Sequence, residues 1–282
     1  MKEEQELLDK FIKDALLEDV GEGDHTSLAT IAAGNEGRAK LLIKEEGTLA
    51  GVFVALEIFR IVDPGLRVDV FIEDGTEVEP GDVAFHVSGS VHSILKAERL
   101  VLNIMQRMSG IATVTGRIVK QLGETGTKVL DTRKTTPNMR FLEKIAVKIG
   151  GGVNHRIGLY DMILIKDNHV DYAGGIRQAL LATREYLQEK GLELAVEIEV
   201  RNKKELMEVI ENGGADRILL DNFTYEELKE AVALVAGRFK TEASGGITEE
   251  NVVEYAKCGV DYVSMGALTH SVKSLDMSLK AF

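Results

Sequence analysis

Five side chains that carry, or can carry, a positive charge fall at or near two predicted strand ends. They are Arg133 and Lys134, His155 and Arg156, and Lys166, with Asn154 beside them. Solvated surface charge is the usual explanation for lysine and arginine. Here, however, the apolar runs that precede these residues would bring them together at the mouth of a sheet or barrel. The sequence therefore predicts a pocket for a small polyanion, in which arginine can bind planar carboxylates in a bidentate manner.

The charge distribution supports a small anionic ligand over a nucleic acid. The chain of 282 residues has a net charge of −12, yet residues 131–170 contain seven lysines and arginines against four acidic residues. Binding to the phosphate backbone of a duplex needs clustered basic residues over a whole face. A single basic segment in an acidic protein favours a small anion instead.

Two carboxylates, Glu199 and Asp221, end consecutive predicted strands and should meet on one rim. No histidine or cysteine cluster accompanies them. Ligands that are all oxygen suit Mg²⁺ held jointly with substrate phosphates, so the pair predicts a magnesium site. The alternative is that these carboxylates only balance nearby lysines and arginines. Glu197 should point to the same side of its strand as Glu199, and its role stays open.

Glycine-containing turns follow the last two predicted strands, at Ser244-Gly245-Gly246 and at Gly266. In parallel barrels, the loops after the late strands often bind phosphate through backbone N–H groups at short helix N-termini. The alternative is that the glycines only permit tight turns. Two such turns on adjacent strands favour a substrate with a terminal phosphate.

The elements that must position these residues alternate strand and helix after about Ser109. The strand-end markers Asp131, Lys166, Glu199, Asp221, Ser244 and Gly266 lie 35, 33, 22, 23 and 22 residues apart. This spacing fits one strand and one crossover helix per step, and the apolar strands indicate a sheet buried on both faces. A parallel barrel is predicted, because its chemistry lies on the C-terminal rim. An open doubly wound sheet stays possible in principle, although no G-x-G-x-x-G or P-loop supports it.

The first hundred residues predict a small sheet with helices, from short alternating runs joined by Asp74-Gly75 and Pro80-Gly81 turns. In the helix that follows, Ala97 to Met108 form an apolar face, and Arg99 lies on the opposite, polar face. The predicted division is residues 1–108, a barrel over 109–270 and a tail over 271–282. Cys258 is expected to be a buried structural thiol. The N-terminus has no apolar leader, and no run is long enough to span a membrane, which predicts a cytoplasmic protein.

These residues resemble the quinolinate phosphoribosyltransferase family, also called nicotinate-nucleotide pyrophosphorylase (carboxylating). The strings that carry the resemblance are DTRKTTPNMRFLEKIAVKIGGGVNHRIGLYDMILIKDNH, VEIEV, ILLDNF, EASGGIT, GVDYVSMGALTHS and, nearer the N-terminus, GDHTS, PGDVAF and AERLVLNIMQRMSGIAT. The resemblance covers nearly the whole chain in order. It implies an α/β fold with an N-terminal open α/β sandwich and a C-terminal seven-stranded parallel α/β barrel. It also implies Mg²⁺ dependence and a homodimer, or a higher assembly, in which each N-terminal domain covers the partner's barrel mouth.

The resemblance assigns roles residue by residue. Arg99 is similar to an arginine that reaches into the neighbouring subunit's site. Glu199 and Asp221 resemble carboxylates near the ribose and the metal. The wall for quinolinate's two carboxylates and part of the diphosphate comprises Thr132, Arg133, Lys134, His155, Arg156 and Lys166. The 5′-phosphate loops comprise Ser244, Gly245, Gly246, Gly266 and Ala267, with His270 closing the same region.

The implied reaction joins quinolinate to phosphoribosyl pyrophosphate and releases pyrophosphate and CO₂, in the synthesis of nicotinate mononucleotide for NAD. Glu199 or Asp221 would stabilise positive charge at the anomeric carbon, and Lys134 or Lys166 would donate a proton after decarboxylation. Three other readings stay open. They are a related transferase acting on another planar acid, a barrel aldolase that forms a Schiff base at Lys166, and a non-enzymatic carrier module built on EDGTEVEPGD.

Overall fold

The computed structural model describes residues 2–282, with side chains from residue 4 onward. The chain divides into two compact units. The first unit contains the residues up to Gly116, together with Pro137–Gly150 and Val272–Phe282. The second unit contains Arg117–Thr136 and Gly151–Ser271. None of the helices in the described part of the chain combines the length and the apolar character needed to cross a membrane.

The helices and strands follow one another along the chain in this order: α1 (Lys2–Val20), α2 (His25–Thr30), β1 (Glu36–Ile43), β2 (Gly47–Thr48), α3 (Val52–Val62), β3 (Arg67–Val70), β4 (Glu77–Val78), β5 (Val83–Ser90), α4 (Val91–Leu122), β6 (Lys128–Leu130), α5 (Arg140–Ile149), β7 (Ile163–Ile165), α6 (Asp167–Ala173), α7 (Ile176–Lys190), β8 (Val196–Val200), α8 (Lys203–Asn212), β9 (Arg217–Asp221), α9 (Tyr225–Val235), β10 (Lys240–Ser244), α10 (Val252–Ala256), β11 (Tyr262–Ser264), α11 (Ala267–His270) and β12 (Met277–Ala281).

The first unit is built on a four-stranded antiparallel sheet in the order β12-β1-β5-β3. This confirms the predicted small sheet with helices. The predicted apolar face of α4 is also confirmed, since the residues from Ala97 to Met108 that define it are buried while Arg99 is exposed. The hydrophobic effect thus fixes which way Arg99 faces: away from the core that its own helix covers.

The boundaries of the two compact units differ from the domain boundaries that were predicted at residues 108 and 270. Helix α5 and the beginning of the predicted barrel segment, up to Gly116, belong to the first unit. The predicted C-terminal tail is instead ordered structure, because Met277–Ala281 pairs antiparallel with β1 from Ile43 to Ala39. Pairing with an edge strand satisfies the backbone N–H and C=O groups of a segment that would otherwise be left in solvent.

The second unit contains a six-stranded parallel sheet in the order β6-β11-β10-β9-β8-β7. The predicted alternation of strands and helices is therefore confirmed. Beyond β6, Val153 adds a single parallel bridge to Leu130. The seventh strand that the family resemblance implied is not among the described strands of this sheet, and it stays a prediction. Closure of the sheet into a barrel stays a prediction.

Strand β8 is buried along its whole length, including both glutamates of its sequence VEIEV. Parallel strands covered on both faces normally consist of continuous apolar residues. Buried carboxylates in such a strand need compensating cations nearby, because a charge removed from water without a partner is costly. The candidate site lies where the strands of this sheet end.

Candidate active site

Lys166, Glu199 and Asp221 meet at the carboxyl ends of β7, β8 and β9. The Nζ atom of Lys166 lies 3.3 Å from Oε2 of Glu199. Burial raises the pKa of the Glu199 carboxyl; the negative charge of Asp221 raises it further, and Lys166 opposes the shift. The repulsion between the Glu199 and Asp221 carboxylates is the electrostatic setting that a divalent cation relieves. The predicted convergence of these side chains is confirmed.

Arg133 and Arg156 bring two guanidinium groups into the same neighbourhood. Burial lowers the pKa of Arg156, and the positive charge of Arg133 lowers it further. Arg156 is half-buried and Arg133 is exposed, and like charges held near each other are stabilised when an anion binds between them. The two arginines thus have the properties expected of the predicted carboxylate-binding wall.

Lys134 is held against the turn that follows β11. The side chain of Thr269, which is fully buried, donates a hydrogen bond of 2.7 Å to the carbonyl oxygen of Lys134. The backbone N–H of Lys134 donates to Oγ1 of Thr132 at 3.0 Å. A β-carbon added at Gly266 would lie 2.8 Å from Cδ of Lys134 and 3.0 Å from the ring of His270. The absence of a side chain at Gly266 therefore lets the side chains of Lys134 and His270 lie against the backbone of residue 266, which directly precedes the short helix α11.

The turn after β10 is joined to Asp221 by its neighbour Asn222. Ser244 pairs with Asp221 across the β9–β10 ladder. The amide Nδ2 of Asn222 donates to Oδ2 of Asp221 at 2.6 Å, and its backbone N–H donates to the carbonyl of Ser244 at 2.9 Å. Gly245 and Gly246 both have positive φ, 98° and 62°. At Gly245 a β-carbon would collide with Oδ1 of Asn222, so glycine is required there for space as well as for backbone conformation.

His155 faces the interior of the second unit. Its side chain is 7% exposed, and its Nε2 atom lies 3.0 Å from Oε2 of Glu197 and 3.6 Å from Oε2 of Glu242. Its Nδ1 atom accepts a hydrogen bond from the backbone N–H of Arg156 at 2.7 Å. Both ring nitrogens are therefore engaged by the protein. The predicted contact between His155 and a substrate stays a prediction.

The remaining predicted residue of the site, Arg99, is an exposed residue of α4 in the first unit. All the others belong to the second unit: Thr132, Arg133, Lys134, His155, Arg156, Lys166, Glu199, Asp221, Ser244, Gly245, Gly246, Gly266, Ala267 and His270. The structure also confirms that Cys258 is buried, and burial raises the pKa of its thiol, as expected for a structural residue.

Several residues support the site in ways that the sequence analysis did not predict. Asn222, Thr269 and Asp131 hold the side chains or backbone of predicted site residues. The carboxylate of the fully buried Asp131 accepts the backbone N–H of His155 at 2.8 Å. Glu242 and Arg217 were likewise missed. A polar residue at or next to a strand end is a weak signal for such a role, because its partner cannot be read from spacing alone.

The geometry defines a class of enzyme, an α/β protein whose parallel strands end in a cationic wall, an acidic pair and glycine turns. Such a site suits a substrate that carries both carboxylate and phosphate groups. Residues 111–280 match the family model described as "Quinolinate phosphoribosyl transferase, C-terminal domain", and residues 24–109 match the corresponding N-terminal domain. The chain belongs to the quinolinate phosphoribosyltransferase family.

Individual relatives agree over almost the full chain. It is 48% identical to the chloroplastic nicotinate-nucleotide pyrophosphorylase (carboxylating) of Arabidopsis thaliana, over 97% of this chain and 82% of the relative. It is 46% identical to the mitochondrial quinolinate phosphoribosyltransferase (decarboxylating) 2b of Nicotiana tabacum, with the same two coverages. The crystal structure of NadC from Streptococcus pyogenes aligns with a TM-score of 0.92 at 40% identity, covering 97% of this chain and 95% of that one. These comparisons do not support the carrier-module reading.

Proposed function

We propose that this protein transfers the phosphoribosyl group of phosphoribosyl pyrophosphate to quinolinate and decarboxylates the product. The products are nicotinate mononucleotide, pyrophosphate and CO₂, in the de novo synthesis of NAD. The observation that carries the proposal is that one site contains two kinds of group. The first is the cationic wall with Arg133 and Arg156, and the second is the acidic pair Glu199 and Asp221 with the neighbouring glycine turns. A planar dicarboxylate suits the first kind, and a phosphorylated ribose suits the second.

In the transfer step, the pyridine nitrogen attacks the anomeric carbon while the bond to pyrophosphate breaks and its electron pair leaves with pyrophosphate. Positive charge develops at the anomeric carbon. Glu199 or Asp221 stabilises that charge, since both end strands on the same rim. The cationic side chains Arg133, Lys134, Arg156 and Lys166 orient the two anionic substrates and offset their mutual repulsion.

Decarboxylation follows from the charge on the ribosylated ring. The bond between the ring and the 2-carboxylate breaks, CO₂ leaves, and the cationic ring stabilises the electron pair left at that carbon. Lys134 or Lys166 donates the proton that completes nicotinate mononucleotide. The ammonium of Lys166 is paired with Glu199, which favours this role over a Schiff-base nucleophile.

Glu199 and Asp221 also fit Mg²⁺, because both offer carboxylate oxygens and the charge of Asp221 acts on Glu199. When bound, the ion would neutralise the diphosphate and help it leave. Activity should disappear on chelation with excess EDTA and return with added Mg²⁺. Full activity without divalent metal would remove the ion from the proposal.

We further propose a homodimer, or a higher assembly, in which Arg99 acts in the partner's site. This rests on the family resemblance and on the exposure of Arg99. Location in the cytoplasm likewise stays a prediction, since plant relatives are named chloroplastic or mitochondrial.

The deciding experiment compares quinolinate with nicotinate as the acceptor. A site built for two carboxylates leaves cations of the wall unpaired when one carboxylate is missing, and the specificity constant kcat/KM should differ by up to about 10⁴-fold. Comparable values for the two acids, or a preference for another planar acid, would contradict the proposal and favour a related transferase.

A further inference from the structure

Four side chains form a buried charged cluster in the second unit: His155, Glu197, Arg217 and Glu242. Nη1 of Arg217 lies 2.8 Å from Oε2 of Glu242 and 3.7 Å from Oε2 of Glu197. Both glutamates are essentially inaccessible to solvent. The guanidinium of Arg217 also lies over the ring of Tyr262, 4.4 Å from its centroid. None of these contacts includes the acidic pair proposed to hold the metal.

Stability alone gives no reason for this cluster. Both carboxylate oxygens of Glu197, and Oε1 of Glu242, lack an aligned hydrogen-bond partner among the described residues. A buried charge without hydrogen bonds is costly, and replacing buried ion pairs with apolar residues is often neutral or stabilising. Buried carboxylates that destabilise the folded state in this way call for a specific explanation.

The hydrogen bond at Nδ1 determines the protonation of His155. Because Nδ1 accepts the backbone N–H of Arg156, it cannot carry a proton of its own. The ring proton must then be on Nε2, the atom beside Glu197 and Glu242. The contact of 3.0 Å between Nε2 and Oε2 of Glu197 is close without being aligned as a hydrogen bond, so the carboxylates favour this tautomer through their negative charge. It is the tautomer whose other nitrogen can accept from the Arg156 backbone.

The same argument excludes a metal ion among His155, Glu197 and Glu242, although their ligand atoms lie within 4.8 Å of one another. A protonated Nε2 has no lone pair to offer a metal. In addition, the Arg217 guanidinium already lies 2.8 Å from Oε2 of Glu242 and 3.7 Å from Oε2 of Glu197, and its positive charge would repel a metal ion at the same oxygens.

We propose that Glu197, Glu242 and Arg217 are positioning residues that act through His155 on Arg156. The carboxylates orient the imidazole, and the imidazole and the Asp131 carboxylate hold the backbone N–H groups of residues 156 and 155. The guanidinium of Arg156 is thereby aimed at the ligand carboxylate. This inference rests on the proposed function, in which Arg156 binds quinolinate.

The kinetic test compares two replacements of Glu197. Glu197→Met removes the acceptor beside Nε2, so the KM for quinolinate should rise about tenfold or more while kcat changes much less. Glu197→Gln keeps an acceptor oxygen and should restore most of the affinity. The KM for phosphoribosyl pyrophosphate should change little in either variant.

A matched control is Glu143→Met in the first unit. Glu143 is also fully buried and faces an arginine, with 2.8 Å between Oε1 and Nη2 of Arg107. Its replacement should lower the melting temperature without changing the KM for quinolinate. If Glu197→Met lowers the melting temperature and leaves that KM unchanged, the positioning role is refuted. Should this variant fail to fold, His155→Gln, which removes both ring contacts, must raise the same KM.

A spectroscopic test does not depend on turnover. Nitrogen NMR of histidine-labelled protein, assigned by the signal lost in His155→Gln, should show His155 with one protonated and one unprotonated nitrogen, the proton on Nε2. A proton on Nδ1, a doubly protonated ring or a stoichiometric bound metal would overturn the inference. Wild-type protein that does not turn over quinolinate would instead contradict the proposed function, while the NMR result would still decide whether the tautomer is fixed as inferred.

Discussion

At Gly266, the methyl group of an alanine would meet the side chains of Lys134 and His270. We expect Gly266→Ala to displace Lys134 and to lower kcat/KM at least about tenfold, because a small misplacement of a positioning group is costly to rate. Its φ is not in the left-handed region, so little backbone strain is added. The free energy of unfolding should therefore change much less than the activity.

Gly116→Ala is the matched control for that measurement. A β-carbon at Gly116 would make only ordinary contacts, the nearest at 3.6 Å from Oγ1 of Thr48, and helix α4 favours alanine over glycine. This variant should keep full activity. Equal kinetic constants for Gly266→Ala and Gly116→Ala would show that Lys134 does not need the space above Gly266.

Glu242 should make stability depend on pH. Burial raises the pKa of its carboxyl from 4.5 to about 7, with the neighbouring Glu197 adding to the shift and His155, Ser264 and Arg217 opposing it. Between those pH values the folded state holds a proton that the unfolded chain has lost. The stabilising contribution of this group is therefore fully present below about pH 4.5 and is lost as the pH rises to about 7, by at most about 3 kcal/mol.

The amide of Glu242→Gln does not titrate, so this variant should lack the pH-dependent contribution of residue 242 to the free energy of unfolding. Urea denaturation at pH 5 and pH 8 measures it: the free energy of unfolding of the wild type should fall more between the two values than that of the variant. Parallel changes in the two proteins would contradict the raised pKa of Glu242.

At the scale of the elements, Asn222 links the ends of β9 and β10. Its φ of 57° lies in the left-handed region, which asparagine and glycine tolerate. Asn222→Gly keeps that conformation and removes only the amide that donates to Asp221. We expect kcat to fall about 10- to 100-fold, since a hydrogen bond to a charged group contributes roughly 1.5–3 kcal/mol.

The comparison variant is Asn212→Gly at the end of α8, where the amide donates to the carbonyl of Glu208 instead of to a site carboxylate. It should affect stability alone. Unchanged kcat in Asn222→Gly would show that Asp221 holds its orientation without its neighbour.

The sequence predicted the elements best where chemistry and periodicity coincide. Strand-end residues such as Lys166 and Asp221 mark β7 and β9 because apolar runs stop at a charged residue there. The pairing of β12 with β1 was missed, since a five-residue strand has no local signature and its partner lies more than 230 residues away. The direction of His155 was also unpredictable. Its ring is oriented by Glu197 and Glu242, on two other strands, and sequence spacing does not report such contacts.

At the scale of the whole molecule, the proposed exchange of Arg99 between subunits can be tested by complementation. If Arg99 acts in the partner's site, Arg99→Ala inactivates that site, whereas Lys134→Ala inactivates the site of its own subunit. Each homodimer should then be nearly inactive. In a mixed dimer, one site receives both changes and the other receives neither.

Refolding equal amounts of the two variants together should restore roughly a quarter of the wild-type activity, because about half of randomly assorted dimers are mixed and each has one intact site of two. The size of the mixture must be measured first, since removing the charge of Arg99 could weaken association. A verified mixed dimer as inactive as its parents would show that Arg99 does not complete the partner's site. Its exposure on α4 would then reflect only the polar face of an amphipathic helix.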